Sequence, residues 1–223
     1  MNRVIINFHG VGSMPGHVDA GEANVWCADP ALYADLLDET REQAQHHGLD
    51  YLITFDDGNL SDATIGAPAL ADRNMRAIFF PCAGRLDQTG YLDPAALRDL
   101  VSAGMEIGSH GWSHTDWRRA SPATMKREVV EAKDRIEQAA GTAVMTAAIP
   151  FGSYDRRVLK DADLFETLFT SDAAIARSAA KVQPRFSYVR SWNRGSIGRA
   201  IADGKRPARR IRQNLAMACK RFR

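Results

Sequence analysis

Residues 50–58 read DYLITFDDG, an apolar, β-rich run that stops on two neighbouring carboxylates and a glycine. Successive strand residues point to opposite faces, so Asp56 and Asp57 share one environment only if the chain has already left the strand. The pair is therefore either a turn or two acids with different tasks. The segment before it, DPALYADLLDETREQAQHHG, has Asp29 as N-cap, Pro30 at the first helical position and Gly48 just past the end. A further helix is expected over 62–74. β-rich runs alternating with capped helices are the pattern of parallel strands joined by crossover helices.

The rest of the chain repeats this unit. Strands are expected at RVIINF (3–8), YLITF (51–55), RAIFFPC (76–82), MEIGSH (105–110), TAVMTAAIP (142–150), FETLFTS (165–171) and SYVRSW (187–192). Helices are expected from Asp93 to Gly104 and from Ser121 to Gly141, where Met125, Val129, Ala132, Ile136 and Ala140 recur at helical spacing. Seven strand–helix steps suit a closed or nearly closed barrel better than an open sheet. Functional residues of such folds gather at the carboxyl ends of the strands. Those ends hold His9, then Asp56 and Asp57, His110, Pro150 to Gly152, Asp172, and Arg190 to Arg194.

With 223 residues, 45% apolar and 25% charged, the chain has the composition of one soluble domain. Cys27, Cys82 and Cys219 lie too far apart for a disulfide framework or a cysteine-ligated zinc. No apolar run reaches the ~20 residues that span a bilayer. MNRVIINFHG lacks the apolar length of a signal peptide, so cytoplasmic residence is expected. The net charge of +2 is unevenly placed: residues 194–223 carry ten Lys/Arg against Asp203 alone. The domain proper is acidic and its end is basic.

In GSHGWSHTDW (108–117), His110 and His114 stand four apart, a spacing that lets both imidazoles meet one cation. Two imidazoles and one carboxylate leave coordination positions open for water and substrate. Zinc bound in such a set lowers the pKa of water toward ~7. One aspartate of the 56–57 pair would then bind the metal and its neighbour would accept a proton.

TFDDG (54–58), HGWSH (110–114) and AIPFG (148–152) together resemble the motifs of the polysaccharide deacetylases of the NodB-homology group, carbohydrate esterase family four, over about residues 50–155. NFHGVG near the start resembles one bacterial branch of that group. The resemblance implies a distorted (β/α)7 barrel over residues 1–200, followed by a basic tail at 201–223. It also implies hydrolysis of an N-acetyl or other N-acyl group of an amino sugar. Carried over by position, it makes Asp57, His110 and His114 the ligands of a divalent metal, with zinc favoured and cobalt or nickel compatible. Asp56 becomes the general base, and the backbone N–H near Phe151, in the Pro150–Gly152 turn, an oxyanion donor.

Three positions depart from the family pattern. Gly111 replaces the usual hydroxyl residue, Ala148 replaces the arginine that orients the base, and no histidine follows His114 to serve as general acid. His9 is a candidate proton donor or a turn histidine, and Asp56 could itself return the proton. Arg190 or Arg194 could supply the missing guanidinium or lie on the surface. Trp117 and Asp116 could form a sugar platform and a supporting carboxylate, or a half-buried aromatic and a helix cap.

In the tail, Ile211, Leu215 and Ala218 or Cys219 fall on one helical face among Arg and Lys. Such a segment is a solvated terminus or a helix for an anionic membrane surface, suited to a lipid-linked saccharide at the inner face of the membrane. Nucleic acid is not the expected partner, because no recognised module accompanies the charge. The alternatives to the deacetylase expectation are a carbohydrate-binding pseudoenzyme that keeps the metal site, and hydrolysis of a related C–N bond such as a formamide.

Overall fold

In the computed structural model, which describes residues 1–223, β1 (Asn2–Phe8) and β2 (Asp50–Asp57) pair in parallel with Ile6 opposite Ile53 and Phe8 opposite Phe55. Between them runs α1 (Pro30–His46), its Asp29 carboxylate accepting from the Ala31 N–H at 2.8 Å. Parallel pairing continues to β3 (Ala77–Pro81) and β4 (Glu106–Ile107), with α2 (Ala67–Ala71) and α3 (Pro94–Ser102) as crossovers. The Asp93 carboxylate caps α3 through the Ala96 N–H. α4 (Pro122–Lys126) runs through a π-turn at Arg127–Glu131 into α5 (Ala132–Ala140), which ends on Gly141 at φ +70°.

β5 (Thr146–Ala148) joins the first sheet through a parallel bridge between Ser109 and Ala147. α6 (Arg156–Asp161) then leads to β6 (Thr167–Thr170), which pairs with β5. β7 (Ala176–Arg177) is a short antiparallel addition to β1. β8 (Val182–Pro184) pairs with β6, and β9 (Phe186–Ser187) pairs with β1. The stretch 182–187 is thus the seventh barrel stave, shared between its two neighbours with Arg185 at the break. α7 (Ser196–Lys205) and α8 (Pro207–Phe222) close the chain.

This is a distorted (β/α)7 barrel, with one correction to the expected strands. SYVRSW contributes only Ser187 to a strand, and the closing strand begins five residues earlier, at Val182. Pro184 lacks the N–H that a central strand needs, so VQPRFS does not read as one. The stave tolerates the proline because the ladder breaks there.

Apolar residues fill two spaces. Ile5, Ile78, Phe80, Ala148, Phe169 and Ala176 occupy the barrel interior. A larger cluster lies between barrel and helices, where Phe8, Tyr33, Phe55 and Phe79 pack ring against ring at centroid distances of 4.9–6.0 Å. Phe55 faces the helices, so its neighbours Thr54 and Asp56 face inward, as strand alternation requires. The carboxyl end of the interior is therefore polar while the rest is dry.

Candidate active site

β2 leaves the pleat at its last residue. Asp57 has φ +75° and Gly58 φ +74°, both left-handed. This turn lets two consecutive carboxylates face the same end of the barrel, at a conformational cost on the order of 1–3 kcal/mol for the non-glycine position. A Cβ on Gly58 would stand 2.8 Å from the Pro81 Cα, so close approach of the neighbouring strand also demands glycine there.

Asp57, His110 and His114 offer ligand atoms that all lie within 4.8 Å of one another. His114 Nε2 is 3.5 Å and His110 Nε2 3.9 Å from Asp57 Oδ1. Atoms ~2 Å from a shared zinc stand ~3–4 Å apart, so small side-chain shifts suffice and the triad fits a divalent metal. The His110 Nδ1 lies 2.7 Å from the Ala148 carbonyl oxygen. That oxygen only accepts, so Nδ1 carries the hydrogen and the Nε2 lone pair faces Asp57. Burial, helped by neighbouring His114, pushes the His110 pKa down to about 4, leaving a neutral imidazole at neutral pH. Burial alone would raise Asp57, but the surrounding imidazoles and Arg85, 3.0 Å from Oδ1, hold it below the ordinary carboxylate range.

The loop that carries both histidines is held from below by Glu128, a buried residue of the π-turn. Its carboxylate accepts from the Trp112 N–H at 2.8 Å, the Ser113 N–H at 3.0 Å and the Trp117 indole N–H at 3.4 Å. Gly111 has φ +79°, and a Cβ on it would stand 2.4 Å from Glu128 Oε2. A hydroxyl residue here would strain the left-handed backbone and displace the carboxylate that anchors the loop. If the triad holds a divalent metal, Glu128→Ala is expected to weaken that binding about 10–100-fold, as removal of groups that orient metal ligands does; competition with a chromogenic chelator measures it.

Asp56 lies 97% or more inside the protein by side chain and is gripped from across the barrel by Arg185, which is wholly buried. Nη1 donates to Oδ1 and Nη2 to Oδ2, both at 2.7 Å, a fork-on-fork pair. Asn7 Nδ2 adds a 3.0 Å bond to Asp56 Oδ2, and its Oδ1 accepts from Thr54 at 2.8 Å and Arg185 at 3.0 Å. The guanidinium carbon stands 5.7 Å from the Phe80 ring and 5.9 Å from the Phe169 ring. Burial pushes Asp56 up, yet the Arg185 charge and hydrogen bonds, together with the neighbouring His110 and His9, outweigh it and hold the carboxyl well below its ordinary range.

The guanidinium missing at Ala148 is thus present, delivered from the closing strand instead of the fifth. Ala148 is buried in the interior cluster beside Phe80 and Phe169, and its small side chain leaves that space free. Arg190 and Arg194 do not reach Asp56. Arg190 is exposed and its backbone N–H binds the Asn24 carbonyl, while Arg194 pairs with Asp35 of α1.

Other expected residues divide. His9 Nε2 lies 3.8 Å from Asp56 Oδ2, so His9 joins the cluster. In the Pro150–Gly152 turn, Pro150 and Gly152 are buried, and Phe151 has φ +59° with its exposed ring 4.5 Å from that of His114. Trp117 is fully buried, so it offers no platform to a sugar; its indole belongs to the packing beneath the histidine loop. Asp116 accepts from the Arg118 N–H within a turn at Trp117–Arg119, so it caps no helix; the helix that follows starts at Pro122 with Ser121 as its cap. Asp172, past the end of β6, accepts from Tyr154 at 3.0 Å and Thr170 at 2.7 Å and pairs with Lys220 of α8.

The comparisons agree with this geometry. The family model described as polysaccharide deacetylase matches residues 35–167. The peptidoglycan-N-acetylglucosamine deacetylase PgdA of Listeria monocytogenes is 25% identical over 113 residues, 50% of this chain and 23% of that protein. The chain thus matches about a quarter of the length of this curated relative. Among solved structures, the Streptococcus pyogenes deacetylase PplD in complex with acetate superposes with a TM-score of 0.77 at 18% identity, over 90% of this chain and 98% of that one. BC0361, a polysaccharide deacetylase from Bacillus cereus, gives 0.76 at 15% identity, over 90% of this chain and 69% of that one. These likenesses show the fold, and the family model, which spans more than half of the residues, shows that the chain belongs to the polysaccharide deacetylase family.

Proposed function

We propose that the chain is a metal-dependent hydrolase that removes an N-acetyl group from an amino sugar of a saccharide. The observation that carries this reading is the meeting of the Asp57, His110 and His114 donor set with a second, separately held carboxylate, Asp56, at one barrel end. A divalent metal in that donor set, zinc in the first instance, would supply Lewis acidity toward water and the amide carbonyl.

Asp56 is the base in this reading. Arg185 and Asn7 fix its plane and keep it ionised, so it is ready to accept a proton from water at neutral pH. His9, 3.8 Å from the same oxygen, is the proposed proton donor to the departing amine. The Phe151 N–H, on the turn beside His114, is the proposed donor to the oxyanion. Arg185 gives the base the guanidinium whose absence at Ala148, like the absence of a late histidine, would favour the pseudoenzyme.

Zinc-loaded full chain is expected to release acetate from N-acetylglucosamine oligosaccharides, to stop after chelation and to resume when metal is returned. Saccharide binding without acetate release would replace this reading with the binding-protein one. Formate release from an N-formyl sugar alone would point to the other C–N bond.

A further inference from the structure

α8 is turned the opposite way from an ordinary surface helix. Helices docked on a globular body bury their apolar stripe and show their polar face to water. Here the polar residues face inward. Gln213 donates to the Ala173 carbonyl, Arg209 pairs with Asp203 at 2.6 Å, and Lys220 pairs with Asp172 and lies 5.0 Å from the Tyr154 ring. Ile211 and Leu215, each 61% exposed, and Phe222, 85% exposed, point outward with exposed Cys219 between them. At 100° per residue these four fall within one quarter-turn. Exposed Arg212 and Arg223 border the stripe on one side; Arg210 and Arg221 lie farther round on the other, beyond Asn214, with Arg221 beside Tyr154. α8 contains no acidic residue.

An apolar stripe between two rows of arginine is complementary to one kind of surface, an acyl boundary beneath anionic headgroups. We infer that α8 lies in the interface of an anionic bilayer, with Ile211, Leu215 and Phe222 inserted and the flanking arginines at the headgroups. A nucleic acid would satisfy the charge and leave the stripe in water; a second copy would satisfy the stripe and oppose like charges. The inward contacts set where the bilayer lies. Asp172 follows β6, and Lys220 also reaches the Gly152 carbonyl at 3.4 Å, one residue from the Phe151 ring that packs on His114. The last turn of α8 therefore lies beside the carboxyl end of the barrel. That this would favour a lipid-anchored saccharide rests on the deacetylase reading; the membrane contact does not.

The test uses the full chain and vesicles of phosphatidylcholine with or without phosphatidylglycerol. Co-sedimentation is expected to rise at least about tenfold with the anionic lipid and to fall as salt screens the arginines. Ile211→Glu/Leu215→Glu, which alters only outward-facing positions, is expected to abolish it while the circular dichroism spectrum stays unchanged. A polarity-sensitive fluorophore on Cys219, the one exposed thiol, since Cys27 and Cys82 are buried, is expected to shift to the blue on those vesicles alone. Equal sedimentation with both lipids, full binding by the double variant, or no spectral shift on bound vesicles would overturn the inference. So would a concentration-dependent dimer that hides the fluorophore, or tight duplex DNA binding unaffected by the double substitution. Acetate release from soluble oligosaccharides is expected to be unchanged in the double variant, so failure of the membrane test leaves the deacetylase reading standing.

Discussion

Asp56→Asn is expected to lower acetate release about 10²–10⁴-fold, the range a positioned general base supplies, with metal content equal to that of the wild type. The three proposed ligands are untouched by the change, so metal analysis and turnover separate. The same substitution leaves Arg185 buried opposite a neutral amide, and loss of one partner of a buried pair costs on the order of 3–5 kcal/mol. A lower melting temperature is therefore expected beside the lost activity, and assays belong well below it. Asp57→Asn is expected to lose metal and activity together. If Asp56→Asn retained turnover, the division of labour between the neighbouring acids would be wrong.

The second large effect belongs to Arg185. Arg185→Met removes the only guanidinium that grips Asp56 and leaves a carboxylate with its burial penalty and the Asn7 bond alone. In the wild type the folded-state pKa of Asp56 is depressed, so the pair contributes stability that is present above the unfolded value near ~4 and is lost as pH falls toward the folded one. In the variant that contribution disappears at neutral pH, again on the order of 3–5 kcal/mol. The acid limb of the pH–rate profile is expected to move to higher pH, because the base now takes up a proton more readily. Arg185→Lys is expected to restore part of the stability and to return the limb partway, since a single ammonium keeps the charge without the fork. A merely structural arginine would change melting temperature and leave the pH profile in place.

Much of the barrel was legible because its helices announce their ends. Asp29 and Asp93 cap where the Asp-Pro pairs predicted, and the apolar positions of the Ser121–Gly141 helix are the buried ones. The HxxxH spacing and the acid pair converge because both sit at strand ends, where chain order already constrains position. What escaped was the closing strand. Pro184 made VQPRFS read as a loop and moved the expected strand to SYVRSW, which carried the search for a guanidinium to Arg190 and Arg194. One misplaced strand therefore hid Arg185, even though a lone arginine between Val182 and Phe186 in VQPRFS was the available signal. Trp117 erred for another reason: an aromatic beside a ligand motif looks alike whether it meets a sugar or supports the loop. Its complete burial and its contact with Glu128, eleven residues away, distinguish them. The inverted docking of α8 likewise depends on Asp172 and Ala173, which no local pattern connects to the tail.

The metal centre itself is tested most directly by calorimetric titration of zinc into metal-free full chain. The wild type is expected to bind about one zinc per chain, as a single three-ligand site requires. Asp57→Asn, His110→Ala and His114→Ala are each expected to lose that transition, while Asp56→Asn keeps it. Undiminished stoichiometric binding by His110→Ala would contradict the site.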